Sequence, residues 1–231
     1  MGVIQSLHDW DWGKAEEQFK RALELDPRNT NTLYWHAHYL ELMGRLEEAV
    51  AEKRRICELD PLSVLIRLNS AIALYLNGNY PESIEQSRMT IELDPSFAGG
   101  YWGLGLVYER QSNYDEAIQA FEKAAALSGS SPWVTGALGH CYALAGRRDE
   151  AARLLNELKE LSSQRYVSAV SMALIHIGLG EKEQAFEDLE EAYKQRDVRL
   201  IYLNVSPAYE TIRPDPRFQD LVGRVGLPPK N

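Results

Sequence analysis

Several common classes of protein are excluded by what this chain lacks. Its 231 residues include two cysteines, Cys57 and Cys141, far apart in the chain. That is too few and too scattered for a disulfide framework or a zinc cluster. Basic residues are outnumbered, 25 Lys and Arg against 34 Asp and Glu, for a formal net charge of −9. A generic nucleic-acid binder needs surplus cations to displace counterions from phosphates, so nucleic acid is not an expected partner. No run approaches the roughly 18 apolar residues that a membrane-spanning helix requires. Residues 1–20 also lack the basic and then apolar blocks of a secretory signal. Met1-Gly2-Val3-Ile4-Gln5-Ser6 fits the loose N-acylation pattern, but no basic cluster follows to supply the second contact that a single acyl chain needs. The expectation is a cytoplasmic protein without a membrane partner.

Catalytic signatures are missing as well. There is no G-x4-G-K-S/T loop and no G-x-S-x-G elbow. The five histidines are His8, His36, His38, His140 and His176. His36 and His38 lie two apart on a predicted helix and point in different directions, unlike the i, i+4 pair that shares an ion. His140 and Cys141 are adjacent, hence on diverging helix faces. No catalytic residue, cofactor or metal site is expected, and the chain reads as a non-enzyme.

What the chain does have is a repeat. Leu25-Asp26-Pro27, Leu59-Asp60-Pro61 and Leu93-Asp94-Pro95 recur every 34 residues. The same step carries Ala15, Ala49, Ser83, Ala117, Ala151 and Ala185. It also carries Gly44, Gly78, Ser112, Gly146 and Gly180, and a third series of Ala37, Ala71, Gly105, Gly139 and Ala173. Leu33, Ala37 and Leu40 have helical spacing, and Gly44 then stops that helix. Leu46, Ala49, Val50 and Ile56 start a second stripe, which Pro61 closes. Small residues at one position per helix let two backbones approach closely. Each unit is therefore two antiparallel helices that bury their stripes only against neighbours.

These residues resemble the tetratricopeptide repeat family. The unit at 98–131 is the fullest match, with Tyr101, Leu104-Gly105, Tyr108, Tyr114, Ala117, Phe121 and Ala124 in the order W-x2-L-G-x2-Y, Y, A, F, A. The resemblance implies an all-α superhelical solenoid. The units are a partial repeat at 1–29, repeats at 30–63, 64–97, 98–131, 132–165 and 166–199, and a C-terminal helical cap at 200–231. In the first unit Trp12, Ala15, Phe19 and Ala22 form a good second helix, but few residues precede it. Its apolar side is expected to drive self-association through residues 1–25. His8-Asp9-Trp10-Asp11-Trp12 and Asp215-Pro216-Arg217-Phe218 are also similar to the C-terminal repeat region of bacterial multidomain signalling proteins. On that resemblance the alternative reading is the regulatory half of a kinase, cyclase or transcription regulator.

The resemblance further implies a concave groove lined by first-helix residues outside the packing positions: Tyr34, Trp35, His38, Glu41, Asn69, Ile72, Tyr75, Trp102, Leu106, Glu109, Arg110, Trp133 and His140. Exposed aromatics at such places suit a protein or peptide partner, unless tight superhelical closure covers them. Chaperone-binding relatives clamp a terminal carboxylate with cations. The matching positions here, Tyr34, His38, Asn69, Gly99 and Gly103, offer only Asn69 and no cation. The acidic pairs Glu16-Glu17, Glu47-Glu48, Glu187-Asp188 and Glu190-Glu191 read as a solvated outer face, with Glu16–Lys20 and Glu190–Lys194 spaced for weak pairing. A non-catalytic interaction scaffold is the expected function.

Overall fold

The structure, a computed structural model, describes residues 2–4 and 10–228. A single turn, α1 (Gly2–Ile4), precedes α2 (Trp12–Leu25). Five antiparallel pairs follow: α3 (Thr30–Leu42) with α4 (Leu46–Leu59), α5 (Val64–Leu76) with α6 (Tyr80–Leu93), α7 (Ala98–Arg110) with α8 (Tyr114–Ser128), α9 (Pro132–Leu144) with α10 (Arg148–Ser162), and α11 (Ala169–Leu179) with α12 (Lys182–Lys194). Two 3-10 turns, Val198–Tyr202 and Pro207–Tyr209, lead to α13 (Pro216–Arg224). The described residues contain no strand.

The ends of the helices follow from local chemistry. Asn29 and Ser63 cap α3 and α5 by accepting from the backbone N–H of Thr32 and Ile66. Inside every pair the turn is closed by the same bond, from the N–H of Arg45, Asn79, Asn113, Arg147 or Glu181 to the carbonyl of the residue five places earlier, at 2.8–2.9 Å. This closure requires a left-handed residue. Gly44, Gly78, Gly146 and Gly180 supply it with φ between 73° and 82°. Ser112 holds the equivalent place at φ 61°, a conformation that an L side chain rarely adopts.

The small-residue series sits where helices meet. Ala15, Ala49, Ala117, Ala151 and Ala185 are fully buried, and Ser83 nearly so, with its hydroxyl donating to the Ala71 carbonyl. Gly105 packs so closely that a Cβ there would stand 2.5 Å from the Phe121 ring. Ala117→Leu is therefore expected to destabilise by about 1–3 kcal/mol, the usual cost of overpacking. Glu187→Ala, on the exposed outer face, should change stability by less than about 0.5 kcal/mol. A denaturant titration of the two variants checks the register, and equal effects would contradict it.

The superhelix closes on itself. One apolar core combines Trp12 and Phe19 of α2, Leu40 and Leu42 of α3, Ala173 and Ile177 of α11, Phe186 and Leu189 of α12, and Phe218, Leu221 and Val225 at the C-terminal end. The Trp12 indole N–H donates to the Val225 carbonyl at 3.2 Å, across 213 positions of sequence. Trp10 packs on Tyr193 at 5.7 Å between ring centroids, and the Arg196 guanidinium lies over Trp10.

This arrangement removes the ground on which self-association through residues 1–25 was expected. The apolar side of α2 meets the chain's own C-terminal segment, and both Trp12 and Phe19 are buried. His8 and the other residues at 5–9 lie outside the described residues. The segment from 200 onward does more than cap the last repeat. It bridges last helices to first and enters the concave side.

Candidate functional site

Inside the closed superhelix lies a cavity of about 310 Å³. Helices α5, α7, α9 and α11 wall one side of it, and residues 199–209 cross the other. The first helices of successive pairs face inward because their opposite stripes pack on the second helices. Eight residues expected to line the groove are brought together here: Asn69, Ile72, Tyr75, Trp102, Leu106, Glu109, Trp133 and His140. Trp102 and Trp133, one repeat apart, form the centre of the wall with ring centroids 3.8 Å apart.

Five other expected residues do not line this cavity and are engaged within the chain. Glu41 is buried, with Oε2 3.1 Å from His38 Nδ1 and Oε1 3.6 Å from the buried Lys53 ammonium. His38 also packs on Tyr202 of the returning segment, with ring centroids 5.7 Å apart. Trp35 packs against the closing core, and the Tyr34 hydroxyl donates to Asn69 Oδ1 at 3.3 Å under the Lys53 ammonium. Arg110 is taken by Glu210 in a two-pronged pair at 2.7 and 2.9 Å. The physical reasons are two: the C-terminal segment and the closing core take His38, Arg110 and Trp35, while Tyr34 and Glu41 are engaged by Asn69 and Lys53 of the next helices.

Charge in the cavity is sparse and mostly paired. The Glu109 carboxylate lies 3.2 Å from His140 Nδ1, both side chains at least nine-tenths buried. Burial, with Glu109 alongside, pushes the Cys141 thiol up. Burial likewise raises the Tyr75 and Tyr209 phenols, and both stay protonated at neutral pH. Sequence reasoning missed Arg199, Tyr202, Ser206 and Tyr209, which line the cavity from the returning segment. Their repeat-breaking context carries no register from which an inward orientation could be read. Arg199 also supplies the cation that the helices lack.

The histidines separate as their spacing requires. His36 Nδ1 pairs with Glu52 at 2.9 Å, while His38 turns to Glu41. Among the described residues no three His, Cys, Asp or Glu side chains converge as metal ligands. No helix of the described residues is long and apolar enough to cross a membrane.

The outer acidic pairs are not uniformly solvated. Glu16 does pair with Lys20 at 2.9 Å, but Glu190 pairs with Arg224 and Lys194 with Glu191, because α13 lies beside α12. Asp188 is half-buried, 3.7 Å from His176 Nε2, and burial pushes its carboxyl up to about 6. A carboxyl raised in the folded state contributes stability below its unfolded value, near 3.8, that is lost as pH rises to about 6. Asp188→Asn is expected to flatten the fall in stability between those pH values. Unfolding titrations of both proteins across that range check it, and parallel curves would refute it.

Helix pairs stacked in succession around a concave interior define an α-solenoid. Two tetratricopeptide-repeat profiles match, one over residues 68–132 and one over 109–174. The chain is a tetratricopeptide-repeat protein. No curated protein sequence matches it. Among solved structures it is similar to TTC0263, a thermophilic tetratricopeptide-repeat protein of Thermus thermophilus, at 22% identity over 87% of this chain and 93% of that one, with TM-score 0.60. It is also similar to the Cut9–Hcn1 hetero-tetramer of APC/C, at 21% identity over 93% of this chain and 39% of that one, with TM-score 0.60. A third likeness is MamA, at 22% identity over 84% of this chain and 97% of that one, with TM-score 0.53. At these identities the likeness is one of fold.

Proposed function

We propose that the chain is a protein-interaction scaffold that takes a segment of a partner on its concave face. The repeat fold supports the scaffold role in general. The observation that supports the concave face is that a non-repeat segment already lies there. Residues 198–210 cross the inner helices, with Tyr202 on His38, Tyr209 in the cavity and Glu210 on Arg110. A face that holds one such segment has the shape and chemistry to hold another. Beside it the Trp102–Trp133 pair offers a half-buried aromatic anchor of the kind that dominates interface energetics.

A random-peptide display selection on the purified chain tests this. Selected peptides should bind the wild type, lose affinity at least tenfold with Trp102→Ala, and gain affinity with Glu210→Ala, which loosens the resident segment. A selection that enriches no peptide, or peptides indifferent to both substitutions, would count against the reading.

A further inference from the structure

The cavity between the inner helices and the returning segment has features that a peptide groove does not need. It is walled on opposite sides by different parts of the chain, and its 310 Å³ lies at the small end of the range for small-molecule sites, about 300–1,000 Å³. Its walls are mainly apolar and aromatic. Its polar groups are few and unevenly satisfied, which is the combination that fixes the orientation of a ligand.

Arg199 decides the sign of that ligand. Its guanidinium lies over the Trp133 ring, 5.4 Å from the centroid, and among the described residues no carboxylate or carbonyl accepts from it. The backbone N–H of Arg199 is held by Asp197 Oδ1 at 2.9 Å, which fixes the base of the side chain. Two further donors on cavity-lining residues, Trp102 Nε1 and Ser171 Oγ, have no acceptor among the described residues. The one carboxylate in the cavity is already engaged. Glu109 Oε1 meets His140, Oε2 is buried without a hydrogen-bond partner among the described residues, and the Cys141 thiol lies near the carboxylate. With that carboxylate held by His140, the group left to be met is a cation stacked on an aromatic face. Guanidinium is the side chain best suited to grip a carboxylate, with two parallel N–H donors.

We propose that this cavity binds a small aromatic carboxylate, its ring against the Trp102–Trp133 pair and its carboxylate on the Arg199 guanidinium. The site shares the Trp102–Trp133 pair with the partner segment proposed above, but it needs no displacement of residues 198–210. Those residues form its far wall. The same carboxylate chemistry could arrive as the free C-terminus of a peptide ending in an aromatic residue. The small volume and the wall made by Tyr202 and Tyr209 favour the free acid.

The test is calorimetric titration of the full chain with benzoate, phenylacetate and indole-3-acetate. Indole-3-acetamide, tryptamine and a pentapeptide with a free C-terminal Trp serve as contrasts. At least one acid should bind, and indole-3-acetate should bind at least tenfold tighter than the amide and the amine and more tightly than the peptide. Arg199→Gln should abolish the preference for acid over amide, and Arg199→Lys should restore part of it. Among the described residues nothing accepts a hydrogen bond from the Arg199 guanidinium, so both variants are expected to unfold at the wild-type temperature. Should Arg199→Gln fail to fold, Arg199→Lys and the ligand series on the wild type still decide the matter. Binding of none of the acids, equal or tighter binding of tryptamine or the amide, tighter binding of the peptide, or an acid preference that survives Arg199→Gln would each overturn the proposal.

Discussion

Trp12→Ala is expected to cost about 3–5 kcal/mol, the range for removing a large aromatic from a core. The indole is buried, donates to Val225 and packs against Gly226. Its loss therefore removes both packing and the bond that ties α2 to the end of the chain. In an open solenoid a residue of the first helix pair would affect only its own edge, since each unit contacts its neighbours alone. Here the effect should reach α13 at the opposite end of the sequence. Denaturant unfolding gives the magnitude, and hydrogen exchange gives the reach: amides of α2 and α13 should lose protection together. A loss below about 1 kcal/mol, with α13 protected as in the wild type, would mean that the closure contributes little.

Glu41→Ala is expected to cost a similar amount, about 3–5 kcal/mol, by a different cause. Lys53 is among the largest fully buried side chains, and its ammonium has the Glu41 carboxylate at 3.6 Å and the Tyr34 ring at 4.7 Å. Removing Glu41 strands that cation in the interior. The reverse change should be milder, because in Lys53→Met the Glu41 carboxylate keeps His38 at 3.1 Å. Replacing both, as Glu41→Leu with Lys53→Met, is expected to match or exceed the wild-type stability. Exchanging a buried ion pair for packed apolar groups is often neutral or favourable. A double-mutant cycle in urea tests the set, and a Glu41→Ala loss no greater than a surface substitution would refute the account.

The helices were readable because their determinants are local. Leu33, Ala37 and Leu40 repeat at helical spacing, Gly44 and its equivalents mark the turns, and Ala117 and its equivalents mark the contacts. Even Ser112 obeyed its place in the series, taking a left-handed backbone where glycine stands in the other pairs. The site was half legible. Trp102, Trp133, Tyr75, Asn69, Glu109 and His140 converge because an inward position on one first helix is inward on the next.

Non-local contacts were not legible. Tyr34, Trp35, His38, Glu41 and Arg110 occupy equivalent places, yet the chain itself covers or pairs them. Nothing in a 34-residue period encodes where a segment that breaks the period will dock. Trp12 shows the same limit: its apolar character announces a partner surface, and only the path of residues 200–228 reveals that the partner is Val225.

A stacked array of helix pairs ordinarily behaves as a spring, and its pitch and curvature can shift by small increments spread over every junction. Fastening the first turn to the last converts the spring into a hoop. Its bore can then no longer widen by sharing strain among the repeats, since any change in pitch must break the joint at Trp12 and Val225. On one side the bore is bounded by single chain instead of paired helices, along residues 199–209. The dimensions of the chamber are thus set by the stave-like helices around it.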